Sequence, residues 1–186
     1  MRTLFIIPLF IMSMVSFPSV AETFSDLVKR DGLYYKKFTE TPFTGMIDAI
    51  GWQGKINNGK KEGEWIGYHS NGQLERKGQF KNGEKEGSWV GYFDDGQLHY
   101  REHFKNGDQV GSRISYFDNG QLDLEESYKN GKGEGLFISY YPNGKLHYKG
   151  YYRSGKREGL WEFYAPDGSI WQSNAGTFKN GLKVSD

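Results

Sequence analysis

The sequence predicts an all-β protein: an elongated antiparallel meander of 24-residue β-hairpin repeats forming a single twisted or curved sheet. Three observations predict it. Asn-Gly recurs at Asn58-Gly59, Asn82-Gly83, Asn106-Gly107 and Asn130-Gly131 in steps of 24, and Ser154-Gly155 continues the series. A second turn signal follows in each unit, at Asn71-Gly72, Asp95-Gly96, Asn119-Gly120, Asn143-Gly144 and Asp167-Gly168. Glycine (26) and the aromatics (5 Trp, 13 Tyr, 13 Phe) are both abundant, which pairs a turn former with residues that suit a pleated surface. Both residues of an Asx-Gly pair tolerate positive φ, so two such turns per unit mean two strands per unit.

In chain order, residues 1–21 read as a secretory signal. Arg2 supplies a positive start, Leu4 to Val15 is mostly apolar, and Ser19-Val20-Ala21 sets small residues before a cleavage point between Ala21 and Glu22. The apolar run, about a dozen residues, is shorter than the ~20 a membrane-spanning helix needs. Arg2 is the one charged side chain in this segment. Of 24 basic residues 23 then remain, against 23 acidic ones, a net charge of zero. That balance excludes the basic footprint of nucleic-acid binding and the polybasic cluster of an anionic membrane surface. With no cysteine, disulfides and a lipid anchor on cysteine are excluded, and stability must come from packing and the strand ladder.

Residues 22–57 read as an N-terminal cap and a degenerate first repeat. Ser25 to Arg30 suit a short helical cap, Asp31-Gly32 a turn, and Leu33 to Phe38 a first strand. Pro42-Phe43-Thr44-Gly45 interrupts, and Trp52 and Gly54 already fit the repeat. Residues 58–181 hold five units with recurring columns: Gly63, Gly87, Gly111, Gly135 and Gly159; Tyr68, Tyr92, Tyr116, Tyr140 and Tyr164; Leu74, Leu98, Leu122, Leu146 and Ile170; and a closing aromatic at Phe80, Phe104, Tyr128, Tyr152 and Phe178. Asn180-Gly181 follows Ser154-Gly155 after 26 residues, which puts two extra residues near Gln172 to Asn174. Residues 182–186 form a C-terminal edge, where Leu182 to Val184 begins a strand with no partner.

A two-residue Asn-Gly loop sets a register. It predicts cross-strand pairs Trp52–Trp65, Arg76–Trp89, Tyr100–Arg113, Leu124–Phe137 and Tyr148–Trp161, each on one face. It also sets Gly54 opposite Gly63, Gly78 opposite Gly87 and Gly150 opposite Gly159. The second turn, as in Pro142-Asn143-Gly144, suits a type I turn with a glycine bulge that shifts pairing by one residue. Such a slip exchanges faces, so the side taken by the Tyr column stays open.

At these columns the chain resembles the MORN-repeat proteins in their bacterial variant form. The resemblance rests on Phe80-Lys81-Asn82-Gly83-Glu84-Lys85-Glu86-Gly87, on Gly87-Ser88-Trp89-Val90-Gly91-Tyr92 and on Gly96-Gln97-Leu98. Arg30-Asp31-Gly32-Leu33-Tyr34-Tyr35 with Pro42-Phe43-Thr44-Gly45 is similar to the YwqK-type toxin–antitoxin antitoxins. The resemblance covers about residues 30–184. It implies a hairpin array that serves as a scaffold for protein or lipid contact, and the antitoxin form implies neutralisation of a toxin by direct binding. The export signal departs from a cytoplasmic antitoxin and favours an extracytoplasmic immunity role.

Catalytic chemistry finds no support. The sequence has no Gly-x-Ser-x-Gly elbow, His-Glu-x-x-His helix or phosphate loop. His99 and His147 share a column two units apart, and His99 and His103 lie ~13 Å apart along a strand, too far to share a metal. Glu62, Glu86, Glu134 and Glu158 recur with the repeat and read as solvated hairpin edges. No cofactor and no metal are expected, and the protein is not expected to be an enzyme. The aromatic columns remain, and the candidate partner-binding residues are Trp65, Trp89 and Trp161 with Tyr68, Tyr92, Tyr116, Tyr140 and Tyr164. The expected partner of this periplasmic or secreted chain is another protein, a toxin or an envelope component. The alternatives are a glycan or cell-wall module and membrane-lipid contact. Choline-binding repeats also combine glycine with Trp and Tyr, but they are shorter and use consecutive aromatics that the single Trp-x-x-Tyr here does not reproduce.

Overall fold

The computed structural model describes residues 21–49 and 51–186; the predicted signal segment lies outside them, apart from Ala21. The chain is an antiparallel meander of hairpins in one open 15-stranded sheet, with a separate two-stranded hairpin at its N-terminal end. Each unit has an outgoing strand (Lys60–Tyr68, Glu84–Tyr92, Gly111–Tyr116, Gly135–Tyr140, Lys156–Phe163) and a return strand (Leu74–Lys81, Leu98–Lys105, Leu122–Lys129, Leu146–Arg153, Gly176–Lys179). Short strands at Asp108–Gln109 and Lys132–Gly133 precede the outgoing strands of units three and four.

The turns are those the sequence chemistry requires. Asn57 pairs with Lys60 across Asn58-Gly59, and both loop residues have positive φ, 48° and 76°, the type I′ geometry that matches strand twist. The second turn carries the expected one-residue shift, with Gly67 opposite Arg76 and then Tyr68 opposite Leu74. The unpaired residue is Glu75, and the same shift recurs between Gly91 and Tyr92.

The first hairpin departs from expectation. Pairing begins with Asn57↔Lys60 and Lys55↔Glu62, then jumps to Gly54↔Trp65 and Trp52↔Gly67. Gly63 sits at φ +70°, and Gly87, Gly111 and Gly159 lie within a few degrees of it. That left-handed residue and the one after it bulge out of the ladder. The slip is two residues, so each predicted pair stays on one face but becomes a diagonal neighbour: the Trp52 and Trp65 ring centroids are 6.0 Å apart. Gly54 therefore lies beneath Trp65, not opposite Gly63.

Three smaller expectations are also corrected. The helical cap is one 3-10 turn, Phe24–Asp26, and strand Leu27–Arg30 replaces the rest of it. The first strand ends at Lys36, and Phe38 adopts φ 65° with its ring in solvent. The C-terminal strand Leu182–Ser185 does have a partner, since it pairs with Gly176–Lys179.

Candidate functional site

Successive side chains alternate across a strand, so the sheet has two faces of different chemistry. One face carries the tryptophans. Trp65, Trp89 and Trp161 are 0–1% exposed. Each lies flat against a glycine of the neighbouring strand, where a Cβ on Gly54, Gly78 or Gly150 would come within 2.1–2.3 Å of the indole. Each Nε1–H donates to a backbone carbonyl at the register break: Lys55 O (3.1 Å), Gln79 O (3.2 Å) and Tyr151 O (3.0 Å). The bulge thus opens an acceptor in the ladder and the indole fills it, which answers the need to pair a buried N–H.

A single layer would leave these rings wet, but the chain covers them itself. The ammonium of Lys61 lies 4.2 Å from the Trp65 ring centroid and 4.9 Å from that of Trp52. Lys85 caps Trp89 at 4.5 Å, and Arg157 caps Trp161 at 4.8 Å. Their aliphatic stems shield the rings while the charge meets the ring faces. Burial, with Lys29 and Arg76 nearby, pushes the Lys61 ammonium down to about 8. At the N-terminal end Phe24, Leu27, Tyr34 and Phe43 close over the same face. The three tryptophans thus present no ring surface to a partner, and their place is in the core.

The tryptophan face is interrupted in unit three. Arg113 stands in the Trp column and Glu102 in the place of the glycine beneath it. Arg113 Nη1 donates to Glu126 at 2.8 Å, and its Nε lies 3.9 Å from Glu102, which also receives Lys85 at 3.2 Å. Two separate apolar clusters result. One holds Leu27, Ile47, Ile56, Trp65 and Trp89, the other Phe137, Trp161, Phe163 and Phe178.

The tyrosine column takes the opposite face. Tyr164 Oη donates to Glu162 at 3.1 Å, and Glu162, one residue from Trp161, points away from the core. Tyr68, Tyr92, Tyr116 and Tyr140 hold the same position, two residues past Ile66, Val90, Ile114 and Ile138, and all five tyrosines are partly exposed. On this face the row nearest the first turns changes character along the array. It reads Glu64, Gln79, Ser88, His103, Ser112 and Ser127 in the first units, then Leu136 (42% exposed), Tyr151 (57%) and Leu160 (60%), and ends on Thr177. Leu136 pairs directly with Tyr151, and Leu160, alternating with Trp161, lies on the adjoining strand. The sequence reasoning missed this row. Its signal was a column that turns from polar to apolar between units three and four.

The remaining polar columns are structural. Glu62, Glu86, Glu134 and Glu158 each accept the backbone N–H of the next unit's turn, at Asn82, Asn106, Ser154 and Asn180, over 2.7–3.0 Å. These glutamates stay partly exposed at the hairpin edges, as expected, and in addition tie each turn to the preceding unit. Asn71, Asn119 and Asn143 reach from one second turn to the next, donating to Asp94 O, Pro142 O and Pro166 O. The histidines pack on neighbouring groups of the sheet: His99 stacks on Phe93 at 4.2 Å, His147 lies against Tyr141 at 4.4 Å, His69 Nε2 is 2.9 Å from Tyr92 O, and His103 Nδ1 is 3.2 Å from the Ser88 hydroxyl. Among the described residues no group of three or more His, Cys, Asp and Glu side chains is placed to hold a metal. Glu22, the expected first residue after cleavage, bonds through its backbone to Met46 and Asp48 and pairs its carboxylate with Lys36.

The MORN repeat variant family matches residues 61–82, 85–106, 109–130 and 133–156, in register with the first four full units. No curated protein matches the sequence. Among solved structures, a GtfA/B complex bound to UDP and GlcNAc aligns over 60% of this chain at 11% identity, with a TM-score of 0.20. The chain spans 24% of that protein's length.

Proposed function

Taking those four segments as repeats of the MORN variant family, we propose that this chain is an exported, non-catalytic scaffold that binds another protein through its tyrosine face. MORN repeats are commonly protein- or membrane-binding modules and generally non-enzymatic scaffolds. The observation that carries the reading is the row Leu136–Tyr151–Leu160, which is contiguous, apolar and exposed. A buried side chain of this kind contributes about 1.5–3 kcal/mol when removed from water, and tyrosine is among the residues enriched at the centre of interfaces. Its confinement to the C-terminal units gives the array a direction, so a partner docks at one end and not uniformly along it.

A toxin or an envelope component is the partner class this reading favours, in an extracytoplasmic immunity role. The balance of charges argues against an anionic lipid surface. The test compares the wild-type chain with the double variant Tyr151→Ser, Leu160→Glu as bait in the native envelope. The reading requires a protein recovered by the wild type and lost from the variant, with identical circular dichroism. Recovery unchanged by the variant, or binding only to liposomes, would reject it.

A further inference from the structure

The side chain two residues after each first-turn glycine lies on the tryptophan face, where the array builds cages around its own cations. This column reads Lys61, Lys85, Gln109, Gly133 and Arg157. Lys61 sits among Phe24, Trp52, Trp65 and Phe80, with its ammonium 4.2–5.4 Å from the four ring centroids. Lys85 lies between Trp89 and Phe104 at 4.5 and 4.4 Å. Arg157 lies among Trp161, Phe163 and Phe178 at 4.8–5.3 Å.

Unit four keeps the rings and lacks the cation. Gly133 stands in the column, and a cavity of about 280 Å³ is lined by Glu126, Tyr128, Gly133, Phe137, Tyr148 and Tyr152. The rings meet at steep angles, Phe137 with Tyr152 at 4.4 Å and 61°, and Tyr128 with Phe137 at 5.6 Å and 60°. Glu126, 12% exposed, accepts Arg113 Nη1 at 2.8 Å and Tyr128 Oη at 3.0 Å, both on Oε2. Among the described residues Oε1 takes no hydrogen bond. Gly133 is not one of the glycines at positive φ, so its backbone does not require glycine. A Cβ there would meet Phe137 Cζ at 2.9 Å and Tyr152 Cβ at 3.3 Å, so the walls of the cage come up to the position the other units fill.

We propose that this cavity binds an alkylammonium group supplied from outside the chain, in the place that the equivalent cages fill with their own lysine or arginine. Ring faces attract the cation, and Oε1 of Glu126, whose charge is shared with Arg113 through Oε2, adds an anionic oxygen at the wall. The site extends beyond the scaffold reading and does not depend on it, since a free quaternary ammonium and a partner's lysine share the chemistry. The test is an NMR titration of the full chain, following the ring protons of Tyr128, Phe137 and Tyr152. The probes are tetramethylammonium, N-acetyl-lysine methylamide and the neutral isostere tert-butanol.

Saturable shifts with at least one of the two cations are expected, about tenfold tighter than with tert-butanol. Which cation binds tells a free quaternary ammonium from a lysine side chain. Gly133→Lys, whose own ammonium would occupy the cage, should abolish the shifts, and Glu126→Gln should weaken them about threefold. If Gly133→Lys does not fold, the charge dependence in the wild type and in Glu126→Gln decides. No saturable shift, equal binding of tert-butanol, or undiminished binding by folded Gly133→Lys would overturn the proposal.

Discussion

Replacing Gly78 by alanine should destabilise the array far more than one methyl group ordinarily does. The new Cβ would lie 2.2 Å from Trp89 Cδ2, 2.3 Å from Cε2 and 2.6 Å from Cγ. Retreat is blocked, because Trp89 is 1% exposed, its Nε1–H is tied to Gln79 O, and Phe80 packs edge-on against it at 5.1 Å. Overpacking a closed core costs about 1–3 kcal/mol, and loss of the indole hydrogen bond adds about 1 kcal/mol, so a cost of roughly 3 kcal/mol is expected. Gly87 provides the contrast: no atom lies within 4 Å of its hypothetical Cβ, but its φ is +67°. Gly87→Ala should cost about 1 kcal/mol from the left-handed backbone alone, and Gly87→Asn less, since asparagine tolerates that region. Urea unfolding followed by tryptophan fluorescence would measure all three. A cost for Gly78→Ala no greater than that for Gly87→Ala would refute the stacking of indole on glycine as the element that holds neighbouring strands together.

Further outcomes follow from the same geometry. Glu86→Ala removes the acceptor of the Asn106 N–H and should cost about 1 kcal/mol in the same assay, with hydrogen exchange rising at Asn106. Arg113→Ala removes the ion-pair partner of Glu126, which is 12% exposed and is left with the Tyr128 hydroxyl, while Glu102 keeps Lys85. It should cost about 3 kcal/mol, the low end for breaking a buried pair because the site is partly wet, and the two apolar clusters should then melt in separate steps by calorimetry. Lys61, held down to about 8 from an ordinary 10.5, binds fewer protons folded than unfolded between those values. Stability should therefore rise with pH across that window through this group, and a ¹³Cε titration of Lys61 with a midpoint near 10.5 would contradict it.

Much of the architecture was legible because turn chemistry is local. Asn58-Gly59 and Asn71-Gly72 declare two hairpins per unit, and even the one-residue bulge at Glu75 follows from the type of the second turn. The bulge at Gly63 was not legible. A glycine across from an aromatic suits either a close approach or a positive φ, and here Gly54 serves the first and Gly63 the second. Which of the aromatic rings are buried was not legible for a related reason. A one-layer sheet suggests exposed rings, whereas Lys61, Lys85 and Arg157 cover them with their own stems, a tertiary arrangement that strand alternation does not encode. The Tyr column illustrates the converse. Its face depended on which strand carried the second-turn bulge, and once Glu75 proved to be the extra residue, Tyr68 fell opposite Trp65. The row Leu136–Tyr151–Leu160 became visible as a patch only when the two-residue slip had set Leu160 beside Tyr151.

Under the proposed function, the tyrosine face of the C-terminal units is the surface that meets a partner. A photo-crosslinking side chain introduced at Tyr151, and in parallel at Gln79 in the same row of unit one, tests it in the native envelope. A discrete protein adduct is expected from position 151 and little or none from position 79. Equal crosslinking from both, or an adduct from 79 alone, would contradict it.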